Sequence, residues 1–252
     1  MNRTHACLAL AAVSLALAPA FADEHHPHWS YSGATGPTHW AGMEKEFEAC
    51  GIGKAQSPID IRTAAARVAD LPEIVFEYKP VPLKIIDNGH TIQVDYAPGS
   101  FISVNGVRYE LVQFHFHKPS EEKLDGKAFD MVAHLVHKDA SGKLAVIAVP
   151  LKKGTANKLV ATLWKNLPHE KGHEVAVESV TIDAADLLPA KHAYYTFDGS
   201  LTTPPCSEGV RWFVLKTPAT VSPAEIAAFG KHYPMNARPV QPLNGREVLS
   251  SK

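Results

Sequence analysis

Two histidines stand one residue apart in the stretch QFHFHKPSEEK, at His115 and His117. In an extended strand successive side chains alternate between faces, so both imidazoles point the same way. A third histidine, His134, lies in AHLVHKD, and the turn between the two runs allows them to be neighbours in a sheet. Three neutral nitrogen donors with a fourth position open are typical of a catalytic zinc site. The alternative is three unconnected polar histidines.

The strand RYELVQFHFH is expected to present two different faces. The face of His115 and His117 is expected to carry Gln113, Leu111 and Tyr109. The opposite face is expected to carry Phe116, Phe114 and Val112. Because three apolar side chains lie behind the histidines, the strand is expected to be buried on that side, and its polar face then needs hydrogen-bond partners.

Length and composition favour one globular domain. The 252 residues are 45% hydrophobic, which is ample for one packed core, and the net charge is −1. No long basic run occurs, so a nucleic-acid partner is not expected.

The first 22 residues are typical of a cleaved secretory signal. Arg3 precedes an apolar run over residues 7–18, and Ala20-Phe21-Ala22 forms a small-residue cleavage pattern. The apolar run is short for a membrane span, so no membrane association is expected after cleavage. We therefore expect a periplasmic or secreted protein whose domain covers residues 23–252, with residues 23–28 flexible.

Export bears on the cysteines. Removal of residues 1–22 leaves Cys50 and Cys206, which in an oxidising compartment are a candidate disulfide, with two buried free thiols as the alternative.

The remaining pattern predicts mainly β-structure with a few peripheral helices. Short apolar runs flank the pairs Asn88-Gly89, Asn105-Gly106 and Asp125-Gly126, which are turn signals, so antiparallel pairing is favoured. SPAEIAAFGKHYP predicts a helix capped by Ser222, with Glu225 completing a capping box. NKLVATLWKNLP predicts another helix, which stops at Pro168.

Seven segments in order resemble the α-class carbonic anhydrases of the bacterial exported type. They are HWSYSG, QSPIDI, DNGH, QFHFHKPSE, AHLVH, GSLTTPPCSEGVRW and NARPVQPLNGR, spanning His28 to Arg246. The resemblance implies one mainly β domain with a large twisted, mostly antiparallel central sheet, small peripheral helices and one zinc ion in a cleft on the sheet. It implies reversible hydration of CO₂ to bicarbonate and a proton, by attack of zinc-bound hydroxide. Hydrolysis of activated esters is a possible side activity, a non-catalytic binding module is the alternative, and a homodimer is left open.

The resemblance also implies residue roles. His115, His117 and His134 match the zinc ligands. Thr202 matches a threonine that accepts a hydrogen bond from the hydroxide, and Glu121 matches the glutamate that takes the threonine's proton. A second group has roles in substrate binding, proton transfer or support, with Thr203 contacting bicarbonate and Gln113 supporting the ligands. His90 matches the proton shuttle, and Cys50 and Cys206 match a disulfide. An apolar wall that receives CO₂ is matched by Val136, Val146, Leu201 and Trp212.

Three positions depart from the pattern of many relatives. Val132 stands where many carry a glutamate, two residues before the third ligand. Glu122 replaces a frequent histidine, and Phe197 a tyrosine. Because valine accepts no hydrogen bond, we expect His134 to have weaker support than in those relatives, and Val132→Glu to slow the loss of zinc.

Overall fold

The computed structural model of the protein describes residues 28–252. The predicted signal segment, residues 1–22, and residues 23–27 of the predicted flexible segment lie outside the described residues. Within residues 28–252, no helix is both long and apolar enough to cross a membrane.

Sixteen strands run through the described part of the chain. In order they are β1 (Asp60–Ile61), β2 (Arg67–Val68), β3 (Val75–Glu77), β4 (Val81–Asp87), β5 (Ile92–Asp95), β6 (Phe101–Val104), β7 (Val107–His117), β8 (Lys123–Leu124), β9 (Lys127–Ala128), β10 (Met131–Asp139), β11 (Leu144–Lys153), β12 (Glu174–Ile182), β13 (Tyr194–Ser200), β14 (Glu208–Leu215), β15 (Ala219–Val221) and β16 (Leu249–Ser250). The α-helices are α1 (Ala49–Ile52), α2 (Lys158–Lys165) and α3 (Pro223–His232). Short 3₁₀ turns cover Gly33–Thr35, Trp40–Gly42, Lys45–Phe47 and Ala184–Leu187.

Thirteen of these strands form one large sheet. Its main path is β12-β4-β5-β7-β10-β11-β14-β13-β16-β2, with β6 beside β7, β3 beside β6 and β15 beside β11. Most pairs are antiparallel, but β11 runs parallel to β14 and to β15, and β16 runs parallel to β2. The prediction of a mainly β fold with a large, mostly antiparallel sheet and small helices is confirmed.

The turn signals lie where the sequence predicts them. Asn105 and Gly106 join β6 to β7 with φ angles of 50° and 77°. Asp125 and Gly126 join β8 to β9 with nearly the same angles, 50° and 80°. Positive φ at both central residues belongs to the tight hairpin turn whose twist matches that of the strands, which is why Asn-Gly and Asp-Gly favour it.

Both predicted helices are present. The Ser222 side chain accepts a hydrogen bond from the Glu225 amide, and the Glu225 carboxylate accepts one from the Ser222 amide, so the capping box of α3 is confirmed. Helix α2 is capped by Asn157 and ends at Lys165, three residues before Pro168.

A β-bulge corrects part of the expected pattern on β7. Opposite β10, Gln113 pairs with Val136 but Leu111 pairs with the next residue, His137, so Val112 is skipped. Because one extra residue moves every side chain before it to the other face, Leu111 packs in the same core as Phe114 and Phe116. The expectation that Leu111 and Tyr109 share the histidine face and Val112 the core face is wrong, since Tyr109 also packs against this core and Val112 is exposed.

A disulfide joins Cys50 and Cys206, which are 156 residues apart in sequence. It ties helix α1 to the loop that follows β13. Both cysteines are buried beside Trp40.

We predict that the double variant Cys50→Ser/Cys206→Ser is about 3–5 kcal/mol less stable than the wild type, because a cross-link over so long a loop restricts the unfolded chain. The measurement is denaturant unfolding, with the reduced wild type as a second comparison. Thiol titration of the denatured protein prepared without residues 1–22, which contain Cys7, should find no free thiol. Two free thiols, or equal stability of oxidised and reduced protein, would contradict the prediction.

Candidate metal centre

The register of β7 and β10 brings the three histidines together. His134 pairs directly with His115, and His117 lies on the same face of β7. The ligand atoms of the three imidazoles lie within 4.8 Å of one another. His117 and His134 are fully buried, while His115 keeps one edge open to solvent. The predicted juxtaposition is therefore present.

Each imidazole gives one ring nitrogen to a protein acceptor. Nδ1 of His115 donates to Oε1 of Gln113 at 2.8 Å, and Nδ1 of His117 donates to the backbone oxygen of Asn236 at 2.7 Å. Nε2 of His134 lies 3.1 Å from Oε2 of Glu122. A ring that donates from one nitrogen has its lone pair on the other. The free nitrogens are therefore Nε2 of His115, Nε2 of His117 and Nδ1 of His134.

Burial sets the charge of two of these rings. It lowers the pKa of His115 to about 3, with a further effect from His134, and it lowers the pKa of His117 well below the usual value. Burial also acts to lower the pKa of His134, but the carboxylates of Glu122 and Glu121 outweigh it and the pKa is raised. His115 and His117 are therefore neutral donors at physiological pH.

This donor set fits a zinc ion. Nε2 of His117 is buried and has no hydrogen-bond partner among the described residues, which is costly unless a cation binds there. Three imidazoles without a cysteine match a zinc site that keeps a fourth position for a reactant.

Glu121 lies directly beneath the histidines. Its Oε1 accepts a hydrogen bond from the Arg238 amide at 2.7 Å, and its Oε2 lies 3.5 Å from Nε2 of His117. Burial raises its pKa to about 7, against the lowering effects of His134, the Arg238 amide and the Thr202 hydroxyl. Thr202 is therefore close to Glu121, although Oε2 has no hydrogen bond of standard geometry within the described chain.

The loop that carries Thr202 and Thr203 is tied at several points. Its backbone is closed by hydrogen bonds from Leu201 to Ser207 and from Cys206 to Thr203. The Gln56 side chain donates to the Cys206 carbonyl at 3.0 Å, and the disulfide holds the same residue. Thr202 is buried and Thr203 half-buried.

The four predicted wall residues belong to one apolar cluster on the histidine side of the sheet. They are Val136, Val146, Leu201 and Trp212. Val146 pairs with Val136 on one side and with Trp212 on the other. The Trp212 ring lies 4.9 Å from the His134 ring, so the cluster adjoins the metal centre.

His90 lies in the turn between β4 and β5. Its ring stacks on Trp29 at 3.5 Å between centroids and 5° between planes, and it lies 4.6 Å from the His28 ring. Burial lowers its pKa to about 4, and the electrostatic effect of the neighbouring His28 adds to this. In this position the imidazole is neutral at pH 7.

Four supporting residues were missed at the sequence level. The Asn236 carbonyl binds His117, and its side chain donates to the His90 and Phe116 carbonyls, both at 3.0 Å. Arg238, Trp29 and Tyr31 are the others, and the Tyr31 hydroxyl is buried without a partner in the described residues. NARPVQ and HWSYSG contain all four, but contacts made through backbone atoms or ring stacking leave no signature in residue spacing.

The expected weakness of His134 is not present. Glu122, the second departure from the family pattern, supplies the carboxylate that Val132 does not. Val132 is buried in the apolar cluster with Trp212 and Phe197. The expectation that Val132→Glu slows the loss of zinc is therefore wrong in its premise, because a carboxylate is already bound to the ring.

The chain is similar to known proteins over most of its length. A family model described as eukaryotic-type carbonic anhydrase matches residues 35–252. A carbonic anhydrase of Nostoc sp. is 44% identical over 89% of this chain and 86% of its own length. One of Neisseria gonorrhoeae is 42% identical over 99% of this chain and 97% of its own. The solved α-carbonic anhydrase of Thermovibrio ammonificans, in complex with the inhibitor sulfanilamide, superimposes with a TM-score of 0.85 and 43% identity, covering 89% of this chain and 99% of that one.

We predict that His90 titrates near pH 4 and that Trp29→Ala raises this pKa toward 6.5, because burial under the indole is the main cause of the shift. His28→Ala should raise it by less. NMR titration of labelled imidazoles measures both. Since the folded-state pKa lies below the unfolded one, the unfolded chain binds more protons between about pH 6.5 and 4, and stability falls as the pH drops through that window. Titration of wild-type His90 near 6.5 would contradict the prediction.

Proposed function

From the premise that this chain belongs to the eukaryotic-type carbonic anhydrase family and shares its activity, the interconversion of CO₂ and bicarbonate, we propose that His115, His117 and His134 hold one catalytic zinc ion. The observation that carries this proposal is the convergence of three imidazole nitrogens within 4.8 Å, each ring tied through its other nitrogen. A non-catalytic binding module does not need such convergence, so the enzyme is favoured over that alternative.

When bound, zinc supplies Lewis-acid chemistry that makes water a nucleophile near neutral pH, an effect for which carbonic anhydrase is itself the reference case. The three imidazoles hold the ion and leave its fourth position to the reactants. Glu121, deep in the site, adds negative charge next to them, and a nearby cation favours its ionised form.

Thr202 and Glu121 orient the attacking oxygen in this proposal. A threonine hydroxyl has a single proton to donate. If that proton forms a hydrogen bond to Oε2 of Glu121, the atom that lacks a partner among the described residues, the Thr202 oxygen acts only as an acceptor. The Thr202 oxygen then accepts a hydrogen bond from the nucleophile, and this bond directs a lone pair of the nucleophile's oxygen at CO₂. Thr203, next to Thr202 in the same loop, contacts the bicarbonate product.

The apolar wall receives the other substrate. CO₂ has no hydrogen-bond donor and is weakly polar, so Val136, Val146, Leu201 and Trp212 bind it without competing for the nucleophile. The same nucleophile can attack activated esters, and we propose this as a side activity.

His90 carries the product proton to solvent in this proposal. In the stack on Trp29 its pKa of about 4 is too low to take a proton from water at neutral pH. An imidazole that leaves the stack regains a pKa near 6.5. We therefore propose that proton transfer requires His90 to move between the stack and a solvated position.

We also propose that the protein is exported and acts in the periplasm or outside the cell. The disulfide Cys50–Cys206 is compatible with an oxidising compartment. The signal-like pattern of residues 1–22 supports the same conclusion from sequence.

We predict that the purified protein contains about one zinc per chain, and that His115→Ala, His117→Ala or His134→Ala nearly abolishes CO₂ hydration, because two remaining imidazoles no longer complete the site. Metal analysis and a hydration assay with and without chelator measure this. His169→Ala, at an exposed histidine, is the control and should retain full activity. Full activity in any of the three ligand variants would sink the proposal.

We predict that His90→Ala lowers kcat in weak buffer and leaves kcat/KM for CO₂ nearly unchanged, because proton release follows the chemical step. Added imidazole should restore part of the rate. Equal losses in kcat and kcat/KM, with no rescue, would instead place His90 in the chemical step or in folding.

A further inference from the structure

Within residues 28–252, the buried Glu122 carboxylate makes its one hydrogen bond with a proposed metal ligand. Its Oε2 lies 3.1 Å from Nε2 of His134, and both side chains are almost completely buried. Its other oxygen, Oε1, has no hydrogen-bond partner among the described residues. A buried carboxylate with an unpaired oxygen is costly for stability. The contact with His134 is therefore the interaction that offsets the cost of burying the Glu122 carboxylate.

The backbone around Glu122 is fixed in a way that directs its side chain. The Ser120 hydroxyl donates to the Glu122 carbonyl at 2.8 Å and accepts from the Phe129 amide at the same distance. These bonds tie the loop between β7 and β8 to Phe129, which follows β9. The Glu122 carboxylate thus extends from a loop held by hydrogen bonds to the His134 ring on β10.

The strand itself offers His134 no acceptor. Val132 precedes His134 by two residues and therefore lies on the same face of β10. It is fully buried in the apolar cluster with Phe197 and Trp212. A glutamate in place of Val132 would put a carboxylate into this apolar cluster. That carboxylate and Glu122 would then compete for the one N–H group of His134.

We propose that Glu122 is a positioning residue for the metal centre and holds the His134 ring with Nδ1 toward the metal. Val132 and Glu122 then act as a coupled pair. The loop residue Glu122 supplies the carboxylate, and the strand residue Val132 supplies apolar packing. The inference rests on the proposed function, since it assumes that the three imidazoles bind zinc.

The experiment measures the rate at which zinc leaves the holoenzyme into excess chelator at neutral pH, together with melting curves of the zinc-free proteins. Glu122→Ala should raise the zinc off-rate by about 10–100-fold, because the His134 N–H loses its acceptor. Glu122→Gln should have a smaller effect, since its amide oxygen can accept the bond without the charge. Glu170→Ala, at an exposed glutamate in a loop, is the control and should match the wild type.

The pairing of the two positions is tested by a double-mutant cycle. Val132→Glu alone should lower the melting temperature and fail to slow zinc loss, because two carboxylates compete for one N–H in an apolar cluster. Glu122→Ala/Val132→Glu, which moves the carboxylate to the strand and completes the cycle with the two single variants, should recover both properties in large part. Non-additivity of this kind is the signature of a coupled pair.

The melting curves separate positioning from a structural role. Glu122→Gln keeps an acceptor for the His134 N–H, so the zinc-free Glu122→Gln protein should be about as stable as the wild type while its zinc off-rate still rises. An unchanged off-rate in Glu122→Ala would overturn the inference while leaving the proposed function intact. A rise in the zinc off-rate of Glu122→Gln that is matched by an equal loss of its zinc-free stability, or strictly additive effects in the cycle, would overturn it too. A wild-type protein that retains no zinc would overturn both the inference and the proposed function.

Discussion

The metal centre depends on one constraint, which is that each of three imidazoles must keep one nitrogen free while its other nitrogen is occupied. A free histidine can bind through either nitrogen, and its ring can rotate. In this protein the second nitrogens meet an amide oxygen of Gln113, a backbone oxygen of Asn236 and a carboxylate oxygen of Glu122. These acceptors come from a strand, a C-terminal loop and the loop after β7. Their convergence requires nearly the whole fold to be in place.

The large sheet separates this polar arrangement from the main core. Alternation on β7 and β10 sends Phe114 and Leu135 to one side and the ligands to the other, and the bulge at Val112 limits that pattern to the end of β7 near the site. The face that carries the ligands also carries the apolar cluster around Trp212. The same two-residue period therefore places three nitrogen donors next to an apolar surface.

Arg238 connects loop segments that are not joined by strand pairing. Its guanidinium donates to Gln56, to the Ser57 carbonyl and to the Cys50 carbonyl, while its backbone amide donates to Glu121. Burial lowers its pKa to about 10, so it stays charged at neutral pH. A buried charge is tolerated because it is paired through several hydrogen bonds. Together with the disulfide, it fixes the segment beneath Thr202 relative to Glu121.

Features that depend on local chemistry or on a two-residue period could be predicted from the amino-acid sequence. The His115–His117 pair, the Asn-Gly and Asp-Gly turns, the capping box at Ser222 and the mainly β class all follow from neighbouring residues. The residues also indicated His134 as a third donor and a candidate disulfide between the two cysteines. The resemblance of seven ordered segments added the apolar wall and the roles expected of Thr202 and Glu121. The tertiary structure alone decided the bulge that moves Leu111 into the core, the stacking of His90 on Trp29 and the acceptor for His134. The physical reason is that these depend on where separate segments meet, and a missing acceptor on one strand can be supplied by a loop that only folding brings within 3.1 Å.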